Sequence, residues 1–217
     1  MGRLKARKTK IWHQNFLIYR YLWPNIEWAV TSVKSQLGIL KPTVLDVGCG
    51  EKPYKDLFED CEYIGLNHSD ENADPDILGD ATDLPVDTES IDIVFTTQVI
   101  EHVPEPQKMM NECFRVLKPG GALILSAPFY WPIHEEPYDF YRYTQYGLEY
   151  MLKTAGFKSW EIKSDGGDWA QILLSINLKV SKVLFPLRIL INCLGLLAEK
   201  ISTSEKSPAN YTLKAFK

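Results

Sequence analysis

The stretch TVLDVGCGEKPYKDLF, residues 43–58, contains the segment that decides the fold. Its apolar run ends in an acid and two glycines one residue apart, a pattern typical of a buried strand that enters a tight turn. Because Gly48 and Gly50 carry no Cβ atom, the backbone there can approach a ligand closely. A dinucleotide-binding turn needs a third glycine, where this chain has Pro53. The pattern therefore disfavours a nicotinamide-dependent oxidoreductase, which we keep only as a distant alternative.

Further strand signals alternate with helix signals along the chain. Short runs rich in Val, Ile and Leu, bounded by turn residues, predict strands at 43–48, 62–67, 76–78, 91–97, 121–128, 158–164 and 210–216. Helices are predicted in PEPQKMMNECFRVLKPGG, which has prolines at its entrance, and at 144–157. This order predicts an α/β fold: a Rossmann-like, doubly wound, mostly parallel seven-stranded sheet with a helical insertion before the last strand. Ligands of such sheets bind at the carboxyl ends of the strands.

Composition indicates one domain in a reducing compartment. The 217 residues, 45% of them hydrophobic, are enough for one sizeable core, so we expect a single domain over 1–217. Within it we expect a basic N-terminal helical arm at 1–41 and an amphipathic helical insertion at 169–205. The four cysteines form no CxxC pair and MGRLKARKTK lacks the apolar stretch of a secretory signal, so we predict no disulfide, no metal and a cytoplasmic protein.

Charge is distributed unevenly about the net value of −4. Residues 1–41 contain 8 Lys or Arg and one acid, residues 42–170 contain 9 against 25, and residues 171–217 contain 7 against 2. An acidic central region would repel a phosphate backbone, so nucleic acid is a poor candidate partner. The two basic ends would instead suit an anionic membrane surface.

Five blocks in a fixed order add a family resemblance. The blocks are VLDVGCG, YIGLN, GDATDLP, IDIVFTTQVIEHV and RVLKPGGALILSAP. Together they resemble the class I S-adenosylmethionine-dependent methyltransferases, in a small-molecule subgroup of the methyltransferase type 11 kind, over roughly residues 40–165. The resemblance implies S-adenosylmethionine as the cofactor and methyl transfer as the activity.

The resemblance also assigns cofactor-binding residues. It implies that Asp46 takes the methionine ammonium, that the backbone of Gly48, Cys49 and Gly50 holds the methionine moiety, and that Asp80 with Ala81 receives the adenine amino group. It places Gln98 on the loop that closes over the sulfonium. The ribose position, which is normally acidic, holds Asn67 here, and the nearby Asp70 is an alternative ribose partner.

The segment APFYWPIHEEPYDFYRYT, residues 127–144, is predicted to be a loop over the acceptor pocket, because its prolines prevent regular structure and it follows a strand end. It contains His134, which we predict as the base, with His102 of EHVP as the second candidate and Glu101 as an ambiguous neighbour. Asp139 and Arg142 are predicted to form an ion pair that fastens the loop. The pattern P-x-H-x-x-P-x-D-x-x-R-x-T resembles methyltransferases of bacterial polysaccharide and glycolipid synthesis.

The last informative segment, residues 169–200, is apolar but divided by Lys179, Lys182 and Arg188, so it is not predicted to cross a bilayer. On one helix kinked at Pro186 it would present an apolar stripe with Ser181, Arg188, Asn192 and Glu199 opposite. The stripe comprises Leu173, Ile176, Val180, Val183, Leu187, Leu190, Leu194 and Leu197. Core, a homodimer contact or an interfacial membrane helix over 172–197 all fit such a stripe.

Two classes of function follow. The first is an enzyme that methylates an O or N atom of a small molecule, such as a sugar or a lipid-linked intermediate of cell-surface polysaccharide or glycolipid synthesis, at the inner face of the membrane. The second is a non-catalytic S-adenosylmethionine-binding module, which the neutral Asn67 keeps open.

Overall fold

A computed structural model describes residues 9–70, 73–180, 182–201 and 204–217. The helices are α1 (Phe16–Leu37), α2 (Pro106–Val116), α3 (Gln145–Ala155), α4 (Asp168–Lys179) and α5 (Phe185–Ile201). The strands are β1 (Thr43–Val47), β2 (Glu62–Asn67), β3 (Ile77–Leu78), β4 (Ile91–Thr97), β5 (Leu117–Pro128), β6 (Ser159–Asp165) and β7 (Asn210–Phe216). Short 3₁₀ turns lie at Lys55–Phe58, Ile100–His102 and Lys182–Leu184.

The strands form one seven-stranded sheet in the order β3-β2-β1-β4-β5-β7-β6. The first five strands run parallel, whereas β7 is antiparallel to both β5 and β6. The predicted doubly wound fold is therefore confirmed. The order reverses between β1 and β4, which places a crevice at the carboxyl ends of these two strands.

Two apolar layers cover the faces of the sheet. One contains α2 and α3, with Met109, Cys113 and Leu148 packed against the strands. The other contains α1 and α4, with Ile26, Val33 and Leu174 in its core. The central strand β4 is buried along its whole length, as its continuous apolar sequence predicts.

Strand β5 differs from the prediction at its start. It begins at Leu117 rather than at residue 121, and the predicted helix ends at Val116 instead of continuing to the Pro-Gly-Gly turn. The register with β4 shifts between Ile91 and Ile93, opposite this part of β5. Such an irregularity allows Pro119 to lie within a strand, because proline cannot donate a ladder hydrogen bond.

The insertion before β7 is a helical hairpin, so the prediction of one kinked helix is wrong. Helix α4 ends at Lys179 and α5 starts at Phe185, with a short 3₁₀ turn between them. Pro186 is the second residue of α5 and causes no kink, because a proline in the first helical turn costs no internal hydrogen bond. The predicted basic arm falls partly on residues 1–8. These residues and Ser181 lie outside the described residues.

The inner side of the hairpin contains buried polar side chains beside apolar ones such as Leu174 and Ile191, and most of the predicted stripe is exposed. Asn177 and Asn192 are fully buried and joined by a 2.9 Å hydrogen bond, and Arg188 is 7% exposed. Asn192 also donates to the carbonyls of Ile11 and His13 ahead of α1. The outward apolar face comprises Trp169, Ile172, Ile176, Val183, Leu184, Phe185, Leu187, Leu190, Leu194, Leu197 and Ile201. No helix in the described part of the chain combines the length and apolar character needed to span a bilayer.

Candidate active site

The predicted cofactor residues follow neighbouring strands at one edge of the sheet. Residues after β1 and β2 are joined directly, because the backbone nitrogens of Gly48 and Cys49 donate to the carbonyl of Leu66 at 2.8 and 3.0 Å. The nitrogen of Gly79 donates to the carbonyl of Asn67 at 3.0 Å, which places Asp80 one step further along the edge. The structure thus brings these predicted residues together at the carboxyl ends of β3, β2 and β1.

The turn after β1 needs both glycines, for different reasons. Gly48 has φ of +74°, and a Cβ atom there would lie 2.4 Å from Cγ2 of Val99. Gly50 has φ of +50°, and nothing lies within 4 Å of the position that its Cβ would occupy. Gly48 therefore allows close packing between the β1 and β4 loops, whereas Gly50 leaves open space beside the backbone, as a bound ligand requires.

Cys49 contributes its backbone rather than its side chain. The thiol is buried, burial raises its pKa to about 11, and a Cβ atom on Gly65 would lie 2.9 Å from Sγ. An inert, neutral thiol packed against β2 supplies no contact to a ligand at the strand ends. The predicted role of this residue in cofactor binding thus reduces to its main chain.

Asp46 lies beneath the turn and is only 2% exposed. The hydroxyl of Tyr63 on the adjacent β2 donates to Oδ2 of Asp46, a contact that sequence reasoning missed. The two residues lie on neighbouring parallel strands, so their proximity follows from strand register, which local patterns do not encode. This arrangement holds a carboxylate just below the glycine turn, where it favours a cation above.

Asn67 and Asp80 form the next part of the edge. The amide nitrogen of Asn67 donates to the carbonyl of Ser69 at 2.8 Å, so the amide oxygen is the atom left to accept a hydroxyl hydrogen bond from a ligand. Oδ1 of Asp80 accepts from both the nitrogen and the hydroxyl of Thr82, and these bonds lower the pKa of the carboxyl. Ala81 packs against the core, and the exposed Asp70 lies three residues beyond β2.

Gln98 closes the other side of the crevice. It has φ of +54°, a left-handed conformation that non-glycine residues seldom adopt. Two hydrogen bonds to Ser126 on β5 stabilise it: the backbone nitrogen donates to the carbonyl at 3.0 Å, and Nε2 donates to the hydroxyl at 3.1 Å. Strained backbone of this kind clusters at ligand sites, which agrees with the predicted position of Gln98 beside the cofactor.

Both candidate bases lie together, although they are 32 positions apart in the sequence. The rings of His102 and His134 have centroids 4.8 Å apart and meet edge to face. His102 belongs to the 3₁₀ turn after β4, and His134 belongs to the loop after β5. The loop lies over this turn, since the nitrogen of Phe140 donates to the carbonyl of Glu101 and the hydroxyl of Tyr143 donates to the carbonyl of Ile100, both at 2.9 Å.

Each imidazole is oriented by an acceptor at Nδ1. Nδ1 of His102 lies 2.7 Å from the carbonyl oxygen of Tyr138, and Nδ1 of His134 lies 3.2 Å from Oδ2 of Asp139. Because a carbonyl or an ionised carboxylate can only accept, both rings carry hydrogen on Nδ1. In this tautomer of the neutral ring, the second nitrogen, Nε2, carries an unshared electron pair and can accept a proton.

The predicted pair of Asp139 and Arg142 is confirmed. The guanidinium donates to both carboxylate oxygens at 2.6 and 2.7 Å and also to the carbonyls of Trp131 and Pro132. This pairing holds the pKa of Asp139 well below its usual range. The ion pair therefore fixes the loop and keeps Asp139 charged beneath His134.

Two carboxylates complete the cluster. Glu101 is fully buried, and its Oε1 lies 3.8 Å from Nε2 of His102. Oε2 of the exposed Glu135 lies 3.7 Å from the same nitrogen. Sequence reasoning left Glu101 ambiguous and gave Glu135 no role, although both are immediate neighbours of the histidines that it selected.

Comparison with known proteins identifies the same central region. A family model described as "Methyltransferase domain" matches residues 45–125. A "Probable S-adenosylmethionine-dependent methyltransferase" of Mycolicibacterium smegmatis is 33% identical over 132 residues, which cover 53% of this chain and 51% of that protein. A "Ubiquinone biosynthesis O-methyltransferase" of Coxiella burnetii is 30% identical over 136 residues, or 55% of each chain. The chain thus spans about half the length of these curated relatives.

Solved structures share the fold over nearly the whole chain. A SAM-dependent methyltransferase of Thermotoga maritima superposes with a TM-score of 0.60 at 16% identity, covering 98% of this chain and 97% of that one. Another, from Archaeoglobus fulgidus, gives a TM-score of 0.57 at 18% identity and covers 88% and 94%. These likenesses establish the architecture.

Proposed function

We propose that this chain, which belongs to the class I S-adenosylmethionine-dependent methyltransferases, transfers a methyl group to an O or N atom of a small-molecule acceptor. The observation that carries the proposal is the juxtaposition of a glycine turn at the switch point of the sheet with an oriented imidazole pair on the loops that follow β4 and β5. We further propose that the acceptor is a sugar or a lipid-linked intermediate of cell-surface polysaccharide or glycolipid synthesis.

The residues along the edge fit the cofactor. Open space beside Gly50 would hold the methionine moiety, with the carboxylate of Asp46 favouring its ammonium. Asn67 would accept from a ribose hydroxyl, and Asp80 would accept from the adenine amino group. The cofactor supplies an electrophilic methyl group on a sulfonium. Gln98, fixed to Ser126, would limit access of water to the reacting centre.

One imidazole of the pair would remove the proton of the acceptor. His134 is the first candidate because its Nδ1 is held by a charged carboxylate, which stabilises the imidazolium that forms. His102 lies against it and is the second. The remaining contribution is alignment of the acceptor atom with the methyl carbon, which the fixed loop would provide.

S-adenosylhomocysteine formation with a pool of candidate acceptors tests the activity. We expect turnover by the unaltered protein and a loss of roughly 10²–10⁴ in rate for His134→Ala, with cofactor affinity kept. Tyr150→Ser, at an exposed position of α3, is the matched control and should retain full activity. Tight cofactor binding without turnover on any acceptor would instead favour a non-catalytic binding module, which the neutral Asn67 supports.

The position of the hairpin supports our proposal that the protein acts at a membrane surface. Helix α4 begins just after β6 and β7 begins just after α5, so both ends of the hairpin meet the edge of the sheet that carries the candidate site. The backbone nitrogens of Phe129 and Tyr130, which start the acceptor loop, donate to the carbonyl of Ala209 at the hairpin exit. A lipid-bound acceptor at the outward apolar face would therefore lie near the site.

Charge favours anionic lipid as the partner of this face. Residues 169–201 contain one acid, Glu199, and its carboxylate accepts from the nitrogens of Gly167 and Ala170 at the start of α4. Lys179 and Lys200 are exposed at the ends of the two helices. Each basic side chain near an anionic surface adds about 1 kcal/mol of attraction. We propose that the chain binds the cytoplasmic leaflet in this way.

Co-sedimentation with vesicles tests this contact. Binding should require phosphatidylglycerol in the vesicle and fall with salt, and replacing Leu190 and Leu194 together by Ser should weaken it at least tenfold. Tyr150→Ser, which alters a still more exposed apolar side chain on α3, should leave vesicle binding unchanged. A concentration-dependent homodimer that buries the face and binds no vesicle would contradict the proposal.

A further inference from the structure

We propose that Glu101, His102 and His134 form a binding site for a divalent transition-metal ion, with Zn²⁺ as the representative ion. One ligand atom of each residue lies within 4.8 Å of the others. The binding itself follows from these side chains alone; only the role of the ion rests on the proposed methyl transfer. The sequence-based expectation of no metal depends on the lack of a CxxC pair. Cysteine spacing carries no information about histidines and acids that two separate loops bring together.

The orientation of both imidazoles suits a metal ligand. A histidine that binds a metal through one nitrogen usually donates its other N–H to a carbonyl or carboxylate, which fixes the ring. His102 does so toward the carbonyl of Tyr138, and His134 does so toward Asp139, itself held by two hydrogen bonds from Arg142. Each ring therefore offers Nε2 as the ligand atom, and the supporting acceptors are already in place.

The carboxylates lie at suitable separations. Nε2 of His102 is 3.8 Å from Oε1 of the buried Glu101 and 3.7 Å from Oε2 of Glu135. Ligand atoms about 2.1 Å from a tetrahedral Zn²⁺ are ~3.4 Å apart. These two pairs need a contraction of a few tenths of an ångström, and separations in the cluster of up to 4.8 Å need a larger one. Glu135, which is largely exposed, could complete the coordination or yield its position to an acceptor.

The ligand types select the class of ion. Two imidazole nitrogens with carboxylate oxygens suit Zn²⁺, Fe²⁺ or Co²⁺, whereas Mg²⁺ and Ca²⁺ prefer oxygen alone. An ion there would bind an acceptor hydroxyl and lower its pKa, so that its proton passes to solvent before the oxygen attacks the methyl group. With the ion bound, the two Nε2 atoms would act as ligands, and solvent rather than an imidazole would receive the proton.

Metal titration of the full chain, without cofactor or acceptor, tests the site. We expect protein treated with chelator and dialysed to bind one equivalent of Zn²⁺ by calorimetry, and Co²⁺ to give the visible absorption of a nitrogen-ligated ion. Glu101→Gln, which keeps the shape of the side chain, and His134→Ala should each weaken binding at least tenfold. Asp139→Asn should weaken it by about 10–100-fold through the ring that it orients.

His68→Ala is the matched control, because this exposed histidine lies outside the cluster and its loss should leave metal affinity unchanged. Circular dichroism of each variant excludes unfolding as the cause of a loss. Zn²⁺ binding of less than half an equivalent to the unaltered protein, or equal affinity in Glu101→Gln, His134→Ala and the control, would overturn the proposal. Metal binding without any methyl transfer would refute the proposed function and leave the site standing.

Discussion

The buried Asp46 and the half-buried Tyr63 form a pair that positions a negative charge under the glycine turn. One residue of β1, Val47, separates Asp46 from the glycine turn, and Tyr63 lies on the neighbouring strand β2. A charge held below the backbone acts on a ligand through its field as well as through direct contact. The charge of Asp46, rather than its shape, should therefore determine cofactor affinity.

We expect Asp46→Asn to weaken binding of S-adenosylmethionine by ~1.5–3 kcal/mol, which is about 10- to 150-fold in Kd. The substitution keeps the shape of the side chain and removes only its charge. Tyr63→Phe is the matched control, because it removes the hydrogen bond and keeps the carboxylate, so its effect should stay below about threefold. Calorimetry on both folded variants measures their affinities for S-adenosylmethionine. Equal affinities of Asp46→Asn and the unaltered protein would count against a role of the Asp46 charge in cofactor binding.

Asp165 at the end of β6 is a second buried acid, with a role in stability. It accepts from Nδ2 of Asn25 at 2.7 Å and from the hydroxyl of Thr212, yet burial raises its pKa to about 7. Because the folded-state pKa exceeds the unfolded value near 3.8, its contribution to stability is fully present below that value. The contribution declines as pH rises and is lost above about pH 7.

Asp165→Asn cannot ionise, so it should remove this part of the pH dependence. The free energy of unfolding of the variant minus that of the unaltered protein should rise between pH 5 and pH 8. The rise should be about 1.4 kcal/mol for each pH unit between pH 5 and the raised pKa of Asp165. Urea unfolding at the two pH values measures the difference. An equal difference in stability at both pH values would show that Asp165 does not titrate between them, contrary to the raised pKa.

The strands and helices show which features local patterns determine. The bounds of β2, β4 and β7 coincide with the predicted ranges 62–67, 91–97 and 210–216, because each is an apolar run bounded by turn residues. The α4–α5 hairpin differs, since its apolar spacing specifies a face but not the direction in which that face points. Burial of Asn192 requires carbonyls from the segment ahead of α1, more than 170 positions away.

The buried asparagines of the hairpin lead to a prediction about stability. Asn192→Leu should destabilise the protein by at least ~2 kcal/mol, because it removes the 2.9 Å acceptor of Asn177 and the side-chain donor to the buried carbonyls of Ile11 and His13. Leu190→Asn, two residues away on the outward apolar face, should change stability by no more than about 0.5 kcal/mol. Thermal unfolding of the pair checks this, and a larger loss for Leu190→Asn would show that the face is covered.

The candidate site also shows that local sequence patterns do not determine contacts between distant residues. Order along the sheet brought together the predicted residues Gly50, Asn67 and Asp80, because consecutive strand ends in a parallel sheet share one edge. The cluster of Glu101, His102 and His134 depends instead on how the loop after β5 folds over the turn after β4. Loop geometry of this kind is set by contacts between distant residues, so only the separate histidines were predicted.

At the scale of the whole molecule, three features meet at the carboxyl end of the sheet: the predicted cofactor residues, the loop at residues 127–144 and the apolar α4–α5 hairpin. β6 leads into the hairpin at this edge and β7 leaves it there, while the loop after β5 is bonded to the hairpin exit. Under the proposed function, this arrangement would bring an acceptor at a membrane surface close to a methyl donor bound in the crevice. The proposed methyl transfer depends on the cofactor occupying that crevice.

A crystal structure with S-adenosylhomocysteine bound tests this position most directly. We expect the homocysteine moiety beside Gly50, a ribose hydroxyl within hydrogen-bond distance of Oδ1 of Asn67, and the adenine amino group near Asp80. The sulfur should face the pair of His102 and His134. Ligand density at any other edge of the sheet, or a sulfur turned away from that pair, would contradict the account.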